Sequence, residues 1–322
     1  MVYHFFGSLR PAGRLHISYL IGSNSVMTAL LLIALAGFGA QLVDGSLGMG
    51  YGLTSATILM AIGLTPAIAS ASVHLAEIGT SAASAFSHGK LGNVDKKVLK
   101  RIAIPGGIGA FAGATVLSGL STQAARPWAS TLLLILGFYV LIRFLAQKTI
   151  TLRKGRPGQR LLIPLGLVGG FVDATGGGGW GPVTTPALLA NGRMAPNRVI
   201  GTMNAAEFVV AVCASAGFIV GLGFSAIRWD ILLPLLIGGV IAAPIAAWIA
   251  HRLPMRIMGV AVGGMIIFTN SYTLMRAFDV AISVQIAALI IEAIIWFTLV
   301  AMVSVAHRRG KTPEPIKESV PA

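Results

Sequence analysis

The sequence predicts an all-α polytopic membrane protein with two inverted repeats, each a broken glycine-rich helical hairpin followed by transmembrane helices, and one extra C-terminal helix. Three observations predict this architecture. Apolar residues make up 55% of the 322 residues and charged residues only 11%, whereas soluble domains carry about 25% charge. Long apolar runs alternate with short basic gaps. One glycine-rich segment occurs twice, which is typical of internal-repeat membrane proteins.

The repeat is visible when residues 37–77 are aligned with residues 169–207. Asp44 aligns with Asp173 at an offset of 129, and after one inserted residue the offset becomes 130. Further matched positions include glycines, prolines and acids: Gly48, Gly50, Gly52, Pro66, Glu77 and Pro105 in the first half, and Gly177, Gly179, Gly181, Pro196, Glu207 and Pro234 in the second. Because the last of these pairs lies beyond the glycine-rich segments, the repeat extends into the spans that follow.

Apolar runs of sufficient length predict the full membrane crossings. Residues 51–63 are also apolar, but about 13 residues at ~1.5 Å each cover only about 20 Å of a ~30 Å hydrocarbon core. This run is therefore expected to be half of a broken hairpin, which residues 161–191 repeat. The full crossings are predicted at 25–43, 67–88, 102–120, 128–146, 198–222, 230–250, 257–275 and 282–306.

These segments divide the chain into six parts. The predicted parts are an N-terminal tail at 1–24, a first transmembrane repeat at 25–147, a basic cytoplasmic loop at 148–160, a second transmembrane repeat at 161–276, an extra transmembrane helix at 277–306 and a cytoplasmic tail at 307–322.

Positive charge predicts the orientation. Of the 24 Lys and Arg residues, 19 lie in gaps or a tail that can all face the cytoplasm if each hairpin enters and leaves the membrane on one side. The crossing at 67–88 then runs inward and its counterpart at 198–222 runs outward, which makes the repeats inverted. We expect a multi-pass protein of the inner (plasma) membrane with a cytoplasmic C-terminus. Arg10 and Arg14 oppose an outer N-terminus, whose side stays open.

Composition and motifs argue against several other classes. The net charge of +14 sits in gaps between apolar runs and not on one surface, so no nucleic-acid partner is expected. Cys213 is the single cysteine, which leaves no internal disulfide or thiolate metal cluster. No His-Glu-x-x-His or Asp-rich diphosphate motif occurs, and the six histidines are scattered. An intramembrane enzyme is therefore disfavoured, and no catalytic residue, metal or cofactor is expected.

The predicted breaks in the two helical hairpins are chemically suited to bind an anion. At a break inside a membrane, the first N–H groups of the next half-helix are unpaired and lie at the positive end of its dipole. The alternative is that the glycines only allow close helix packing, but four consecutive glycines at 176–179 favour anion binding. The candidate substrate-binding residues are Gly48, Gly50, Gly52, Thr54, Gly177, Gly178, Gly179, Gly181, Thr184, Thr185 and Asn204, with Ser55 beside Thr54.

A polar seam marks the crossing at 67–88. Its members recur every three or four residues and so share one helical face, which cannot face lipid. They are Ser70, His74, Glu77, Ser81, Ser84 and His88.

The buried acids are candidates for proton coupling. Ionisable groups at membrane depth cost about 3 kcal/mol or more and are by default tied to ion or substrate pathways. Glu77 and Glu207, with His74 as a relay, are therefore the proposed coupling groups, and a structural hydrogen-bonded pair is the alternative. Because the two glutamates are equivalent, we expect them to lie close together near the midplane. Asp44 and Asp173 precede the breaks and are either helix caps or site residues.

The motif GGFVDATGGGGWGPVTTPALL, a following GT-x-x-x-x-E and the degenerate earlier copy resemble the TauE/SafE family of sulfite exporters, also called the toluene sulfonate uptake permease family. The resemblance covers about residues 25–306. It implies a bacterial or archaeal inner-membrane carrier of small organosulfur anions such as sulfite, sulfoacetate or other sulfonates. The first copy departs from the family pattern because GSLGMGYG replaces a denser glycine cluster.

The expected function is accordingly a secondary transporter of small anions that works by alternating access with proton coupling. Its expected partners are a small anionic substrate, protons and the lipid bilayer, and a homo-oligomer is left open. Two alternatives remain: an anion channel with a glycine-lined pore, and a carrier of small carboxylates.

Overall fold

The computed structural model describes residues 23–47, 50–146, 155–250 and 255–309. The described residues are almost entirely helical and contain no strand. The predicted N-terminal tail up to residue 22, most of the loop at 148–160, the end of the C-terminal tail and Gly48 lie outside them.

Eleven α-helices and one short 3-10 helix account for the described chain. The helices are α1 (Ser23–Leu47), α2 (Tyr51–Ala61), α3 (Pro66–Lys90), α4 (Lys96–Gly119), α5 (Thr122–Ala146), α6 (Gln159–Gly176), α7 (Trp180–Asn191), α8 (Pro196–Leu222), α9 (Trp229–Ala250), α10 (Met255–Ala277) and α11 (Ile282–Arg308), with the 3-10 helix at Phe224–Ala226.

The start of α4 corrects the predicted span at 102–120. Residues 90–101 read as a basic loop, yet the helix already begins at Lys96. The reason is a cap: the Asp95 carboxylate accepts hydrogen bonds from the backbone N–H groups of Lys97 and Val98 at 3.0 and 3.2 Å. Lys and Arg are also good helix formers, so a basic stretch can form the first turns of a helix.

Five described helices are long and apolar enough to cross a membrane: α1, α4, α5, α8 and α11. Helix α3 has 25 residues, but its polar seam makes it less apolar than the others. Helix α11 contacts mainly α10, and among its residues only Gln285 and Val303 are buried. Its exposed isoleucines suit a helix that faces lipid.

The packing of the helices follows the internal repeat. When each helix is replaced by its equivalent in the other half, every pair named here becomes either itself or another packed pair. Helix α4 packs on α6 and α1 packs on α9, while α3 packs on α8 and α5 on α10. Glycines allow these close approaches: a Cβ added at Gly109 or Gly170 would overlap the backbone of the facing helix. The result is one helical body with two buried apolar clusters, one containing Trp180 and the other containing Leu53.

Helices α3 and α8 cross in opposite directions. Near one end of the crossing, the Asn204 amide donates to the Ser84 hydroxyl at 3.1 Å. Near the other end, the His74 and Phe218 rings stack with their centroids 6.1 Å apart. Residue numbers therefore rise along one helix as they fall along the other, which is antiparallel packing.

Helices α5 and α10 show the same relation. A Cβ at Gly137 would lie 2.8 Å from Ile266, and one at Gly263 would lie 2.8 Å from the backbone of Leu141. The positions on α10 again descend as those on α5 ascend. Both pairs of equivalent helices are therefore antiparallel.

Candidate functional site

Two helix breaks lie at the centre of the site. Helix α6 ends at Gly176 and α7 begins at Trp180, and between them Gly177 adopts a left-handed φ of 77° and Gly178 a φ of 152°. The first break separates α1 from α2, and Gly50 before α2 has a φ of 126°. These positive φ angles favour glycine because a Cβ would be strained there. Each glycine-rich segment thus interrupts the helical structure, and these two interruptions are the helix breaks.

The first turn of α2 lies directly against the break between α6 and α7. A Cβ at Gly52 would lie 2.7 Å from the Cα of Gly178, and one at Gly178 would overlap the backbone of Gly52 and Leu53. No side chain larger than hydrogen fits between these two segments. The repeated glycines therefore allow the two halves to meet backbone to backbone.

Asp173 caps the second half-helix. Its Oδ1 accepts hydrogen bonds from the backbone N–H groups of Gly179 at 2.7 Å and Trp180 at 2.9 Å. The equivalent acid, Asp44, accepts a hydrogen bond from the backbone N–H of Tyr51, the residue equivalent to Trp180. Both aspartates therefore have the capping geometry that the sequence offered as one of two alternatives.

This capping limits which backbone groups can meet an anion. The N–H groups of Gly177 and Gly178 donate to the Asp173 carbonyl at 2.8 and 3.0 Å, and that of Gly179 is held by the Asp173 carboxylate. The N–H of Gly181 has no hydrogen-bond partner among the described residues. Only part of the predicted glycine run can therefore donate to a ligand in this arrangement.

Hydroxyl groups supply further donors near the breaks. Those of Thr54, Ser55 and Thr185 are buried and have no hydrogen-bond partner among the described residues. The Thr184 hydroxyl donates instead to the Trp180 carbonyl at 2.6 Å and is occupied. Buried hydroxyls without partners are costly, so the first three are the better ligand donors.

A charged cluster lies beside the breaks. His74 Nδ1 is 2.8 Å from Glu77 Oε2 and 3.8 Å from Asp173 Oδ2, and all three side chains are at most 2% exposed. The remaining polar atoms His74 Nε2, Glu77 Oε1 and Asp173 Oδ2 are buried without a hydrogen bond in the described chain. Gly52 lies next to this cluster, because a Cβ there would be 2.8 Å from Glu77 Oε1.

In the second half, the residues equivalent to His74 and Glu77 have different contacts. Asn204 replaces His74 at the offset of 130, and its amide donates to Ser84. Glu207 is half-buried and makes no hydrogen bond or ion pair with any described residue, although it lies within electrostatic range of Glu77, Asp44 and Asp173. The two glutamates, which the sequence predicted to lie close together, are therefore within electrostatic range of each other and share no hydrogen bond. The antiparallel crossing places them on either side of its centre.

Known proteins give the same identification as the glycine-rich motif. The family model for sulfite exporter TauE/SafE matches residues 33–273, which is most of the chain. The chain belongs to the TauE/SafE family. It is also 50% identical over 252 residues to a protein of Bacillus subtilis (strain 168) named probable membrane transporter protein YtnM, covering 78% of this chain and 84% of that protein. No solved structure matches the chain. The predicted resemblance is confirmed, and the protein is a membrane transporter.

The charged cluster of this transporter also has the composition of a small metal site. His74, Glu77 and Asp173 each offer one ligand atom, and these atoms lie within 4.8 Å of one another. One imidazole nitrogen and two carboxylate oxygens could hold a first-row transition ion. In the described structure, His74 Nδ1 lies 2.8 Å from Glu77 Oε2, and Asp173 Oδ1 caps α7.

Trp180 and Ser70 tie neighbouring helices of the transporter together; Ser70 belongs to the predicted polar seam, whereas Trp180 was not singled out from the sequence. Trp180 is fully buried and its indole N–H donates to the Met203 carbonyl at 3.1 Å, which ties α7 to α8. Ser70 donates to the Ala174 carbonyl at 2.7 Å and ties α3 to α6. The repeat offers a signal for Trp180, because Tyr51 occupies the equivalent position and its hydroxyl also donates to a backbone carbonyl, that of Leu235.

Proposed function

We propose that this transporter moves small organosulfur anions, such as sulfite, sulfoacetate or other sulfonates, by alternating access coupled to protons. The observation that carries the proposal is the meeting of the two helix breaks beside a buried cluster of ionisable groups. Broken helices inside a membrane are tolerated where they line a cavity or bind an ion, and equivalent breaks in two halves are typical of secondary transporters.

We further propose that the two halves are inverted repeats. The antiparallel packing of α3 on α8 and of α5 on α10 supports this arrangement, because equivalent helices of an inverted pair must run in opposite directions. Two inverted repeats can exchange their conformations with each other. This exchange exposes one central site first to one side of the membrane and then to the other.

The proposed anion site lies at the starts of α2 and α7, beside the close contact of Gly52 with Gly178. Its donors are the hydroxyls of Thr54, Ser55 and Thr185 and the N–H of Gly181, with the positive ends of the two half-helix dipoles behind them. The other predicted residues shape or border the site and do not bind the anion directly. Gly50, Gly52, Gly177, Gly178 and Gly179 shape the breaks, Thr184 holds the first turn of α7, and Asn204 borders the site from α8.

Proton coupling follows from the charges around this site. Four carboxylates, those of Asp44, Glu77, Asp173 and Glu207, lie within electrostatic range of one another, and one imidazole, that of His74, lies beside two of them, Glu77 and Asp173. With all of these groups ionised, the region would be net negative and would repel an anion. An anion can therefore bind stably only when protons are taken up, which couples transport of the anion to transport of protons. Glu207 is the proposed proton carrier because, unlike Glu77, it has no counter-ion among the described residues.

The test is to replace each glutamate by glutamine, which mimics the protonated acid. In proteoliposomes, Glu207→Gln should still bind the substrate, with weaker pH dependence, but should fail to accumulate it when a proton gradient is applied. Glu77→Gln should behave in the same way if His74 and Glu77 form the relay. Transport by both variants with an unchanged proton dependence would show that the carboxylates are structural.

The substrate class needs a separate measurement. Thermal stabilisation of the purified transporter by sulfite, sulfoacetate and other sulfonates should exceed that by carboxylates of matched size and charge. The opposite order would favour a carboxylate carrier. Counterflow driven by substrate on the far side of the membrane would support a carrier, whereas single-channel conductance would support a pore.

A further inference from the structure

Equivalent helix pairs of the two halves pack to different extents. Helix α4 lies on α8 from the middle to the end of both helices: a Cβ at Gly107 would lie 2.7 Å from Cys213 Sγ, and one at Gly221 would overlap Ser118. The equivalent pair is α9 on α3, and over the described residues it packs much less extensively. The two halves therefore differ in conformation, although they are repeated in sequence.

The last turns of α8 are covered, whereas the last turns of α3 are not. Ala214 and Phe218 on α8 are 0% and 2% exposed, but their equivalents on α3, Ser84 and His88, are half-buried. Phe218 also stacks on His74, with the ring centroids 6.1 Å apart. The last part of α8 thus closes the charged cluster on its side. The last part of α3 lies at the opposite end of the antiparallel crossing and is more open.

Glu207 marks a cleft on this more open side. It lies on the same face of α8 as Ala214 and Phe218, because positions seven and eleven residues apart share one helical face. Those two neighbours are buried, yet Glu207 is half-buried. An ionisable group at membrane depth faces protein or water and not lipid, so the exposed part of Glu207 faces a cleft between helices. Asn204, three residues earlier, binds Ser84, which places this cleft beside the last turns of α3.

The cleft lies toward one face of the membrane. The end of α3 is joined by a short segment to the start of α4, so the cleft lies on the side that holds the starts of α4 and α8. Glu77, the equivalent of Glu207, is only 2% exposed and pairs with His74, beneath Phe218. Solvent from this face therefore reaches Glu207 and not Glu77.

We propose that this conformation is open only to the face that holds the starts of α4 and α8, and that the opposite conformation arises when the two halves exchange their packing. In that conformation α9 closes on α3, α4 parts from α8, Glu77 becomes exposed and Glu207 becomes buried. Phe218 and the contact of α4 with α8 form the closed gate of the present conformation. This inference rests on the proposed function and adds which helices move and which glutamate each face reaches in turn.

Single cysteines at the equivalent positions Ser84 and Ala214 test the one-sided access. In a Cys213→Ala background, Ser84→Cys should react with an impermeant methanethiosulfonate at least about tenfold faster from the face that labels a cysteine at Lys97 than from the other face. Ala214→Cys should react slowly from both faces. Both should react fully after unfolding in detergent, which controls for free thiol. Similar labelling of Ser84→Cys from both faces, or equally fast labelling of the two cysteines, would overturn the inference.

A cross-link between α4 and α8 tests the exchange. Ser118→Cys/Gly221→Cys places two thiols where the ends of these helices touch, so a disulfide should hold the gate closed. Oxidation should stop sulfoacetate transport and leave the labelling of Ser84→Cys unchanged. The residual labelling of Ala214→Cys from the outer face samples the opposite conformation, and it should become at least about tenfold slower. Reduction should reverse both effects, and each single-cysteine variant should not respond to the oxidant.

Transport at an unchanged rate by the fully cross-linked protein would overturn the inference. A second cross-link, Ala114→Cys/Gly217→Cys, repeats the test if the first variant does not fold, because a Cβ at Gly217 would lie 2.8 Å from the Ala114 Cβ.

A failure of the proposed function gives a different result. In that case the wild type does not transport sulfoacetate, but the labelling measurements need no substrate and still decide whether the gate opens. Residual labelling of Ala214→Cys that the cross-link leaves unchanged would then overturn the exchange of packing.

Discussion

Asp173 uses its two carboxylate oxygens for two different purposes. Oδ1 caps α7 through the N–H groups of Gly179 and Trp180, and Oδ2 faces His74. A buried carboxylate is stable only when hydrogen bonds or charges compensate its lost hydration. Here two N–H groups, the positive end of a helix dipole and a neighbouring imidazole provide that compensation. This residue therefore connects the shape of the break with the charge of the cluster.

Substitution of Asp173 should separate these two contributions. Asp173→Asn keeps an oxygen that can cap α7, so we expect nearly normal stability but altered pH dependence of transport. Asp173→Ala removes the cap and leaves two buried N–H groups unpaired, which should cost about 2–4 kcal/mol. Thermal unfolding in detergent measures the difference. Equal unfolding temperatures for the two variants would mean that the capping bonds do not contribute to stability.

Gly178 should tolerate no side chain, because a Cβ would overlap the backbone of Gly52 and Leu53. We therefore expect Gly178→Ala to destabilise the folded transporter by at least about 3 kcal/mol through strain and overpacking, and Gly178→Val to do so more strongly. The control is Gly89→Ala, because nothing lies within 4 Å of a Cβ at that helical position. Yield and thermal unfolding of the membrane-inserted protein measure the effect. Normal folding of Gly178→Ala with loss of substrate binding would instead assign Gly178 to the anion site.

At the scale of elements, the start of α4 is held by one residue. Asp95 caps the helix, pairs with Arg156 and donates its backbone N–H to Thr202 on α8. Burial alone would raise the pKa of the Asp95 carboxyl, but the hydrogen bond from Arg156 and those from Val98 and Lys97 lower it below its ordinary value of 3.8. The ionised form is therefore the one that stabilises the folded protein.

This lowered pKa predicts a pH-dependent contribution to stability. A carboxyl whose folded-state pKa is below its unfolded value stabilises the protein above the unfolded pKa, and this contribution is lost as pH falls through the folded pKa. Asp95→Asn should therefore lower the free energy of unfolding by about 0.5–1 kcal/mol at pH 7, and the difference should shrink below about pH 4. The pH dependence of thermal unfolding tests this. Arg156→Gln should show a similar trend, and a loss that does not vary with pH would rule out the ion pair as its cause.

For the whole molecule, the ends of the helices predict which residues share a membrane face. The start of α4 and the segment before α6 lie together, since Asp95 binds Arg156. The turn between α4 and α5 lies at the other end of α4, and α11 separates Asp279 from Arg309. From the excess of positive charge we expect the first group and Arg309 to lie inside the cell.

Cysteine labelling tests this orientation. In a background that lacks Cys213, cysteines at the exposed positions Lys97, Arg156 and Arg309 should be shielded from impermeant thiol reagents in intact cells. Cysteines at the exposed positions Gln123 and Asp279 should be labelled. Membrane permeabilisation should make all five reactive, which controls for local accessibility. The reverse pattern in intact cells would show that the orientation is wrong.

The sequence by itself determined the helices, the breaks and the family, because these depend on local signals. Apolar runs of defined length predict helices that cross a membrane, and the repeated glycines predict the breaks, where Gly50 and Gly177 have a positive φ in the structure. The seam on α3 was readable for the same reason, since its spacing is a property of one helix. The missed start of α4 shows the limit: hydropathy cannot distinguish a basic loop from a basic helical turn.

Only the tertiary structure decided which of these residues meet. The sequence paired Glu77 with Glu207 by symmetry, but Glu77 pairs with His74 on its own helix, and Glu207 has no hydrogen-bond or ion-pair partner among the described residues. The packing of the helices also brings Asp173 from α6 to His74 and joins Asp95 to Arg156. Such contacts between residues far apart in the chain depend on where helices cross and how closely they approach, and glycines on both sides of an interface set that approach. The local pattern of one helix does not contain this information.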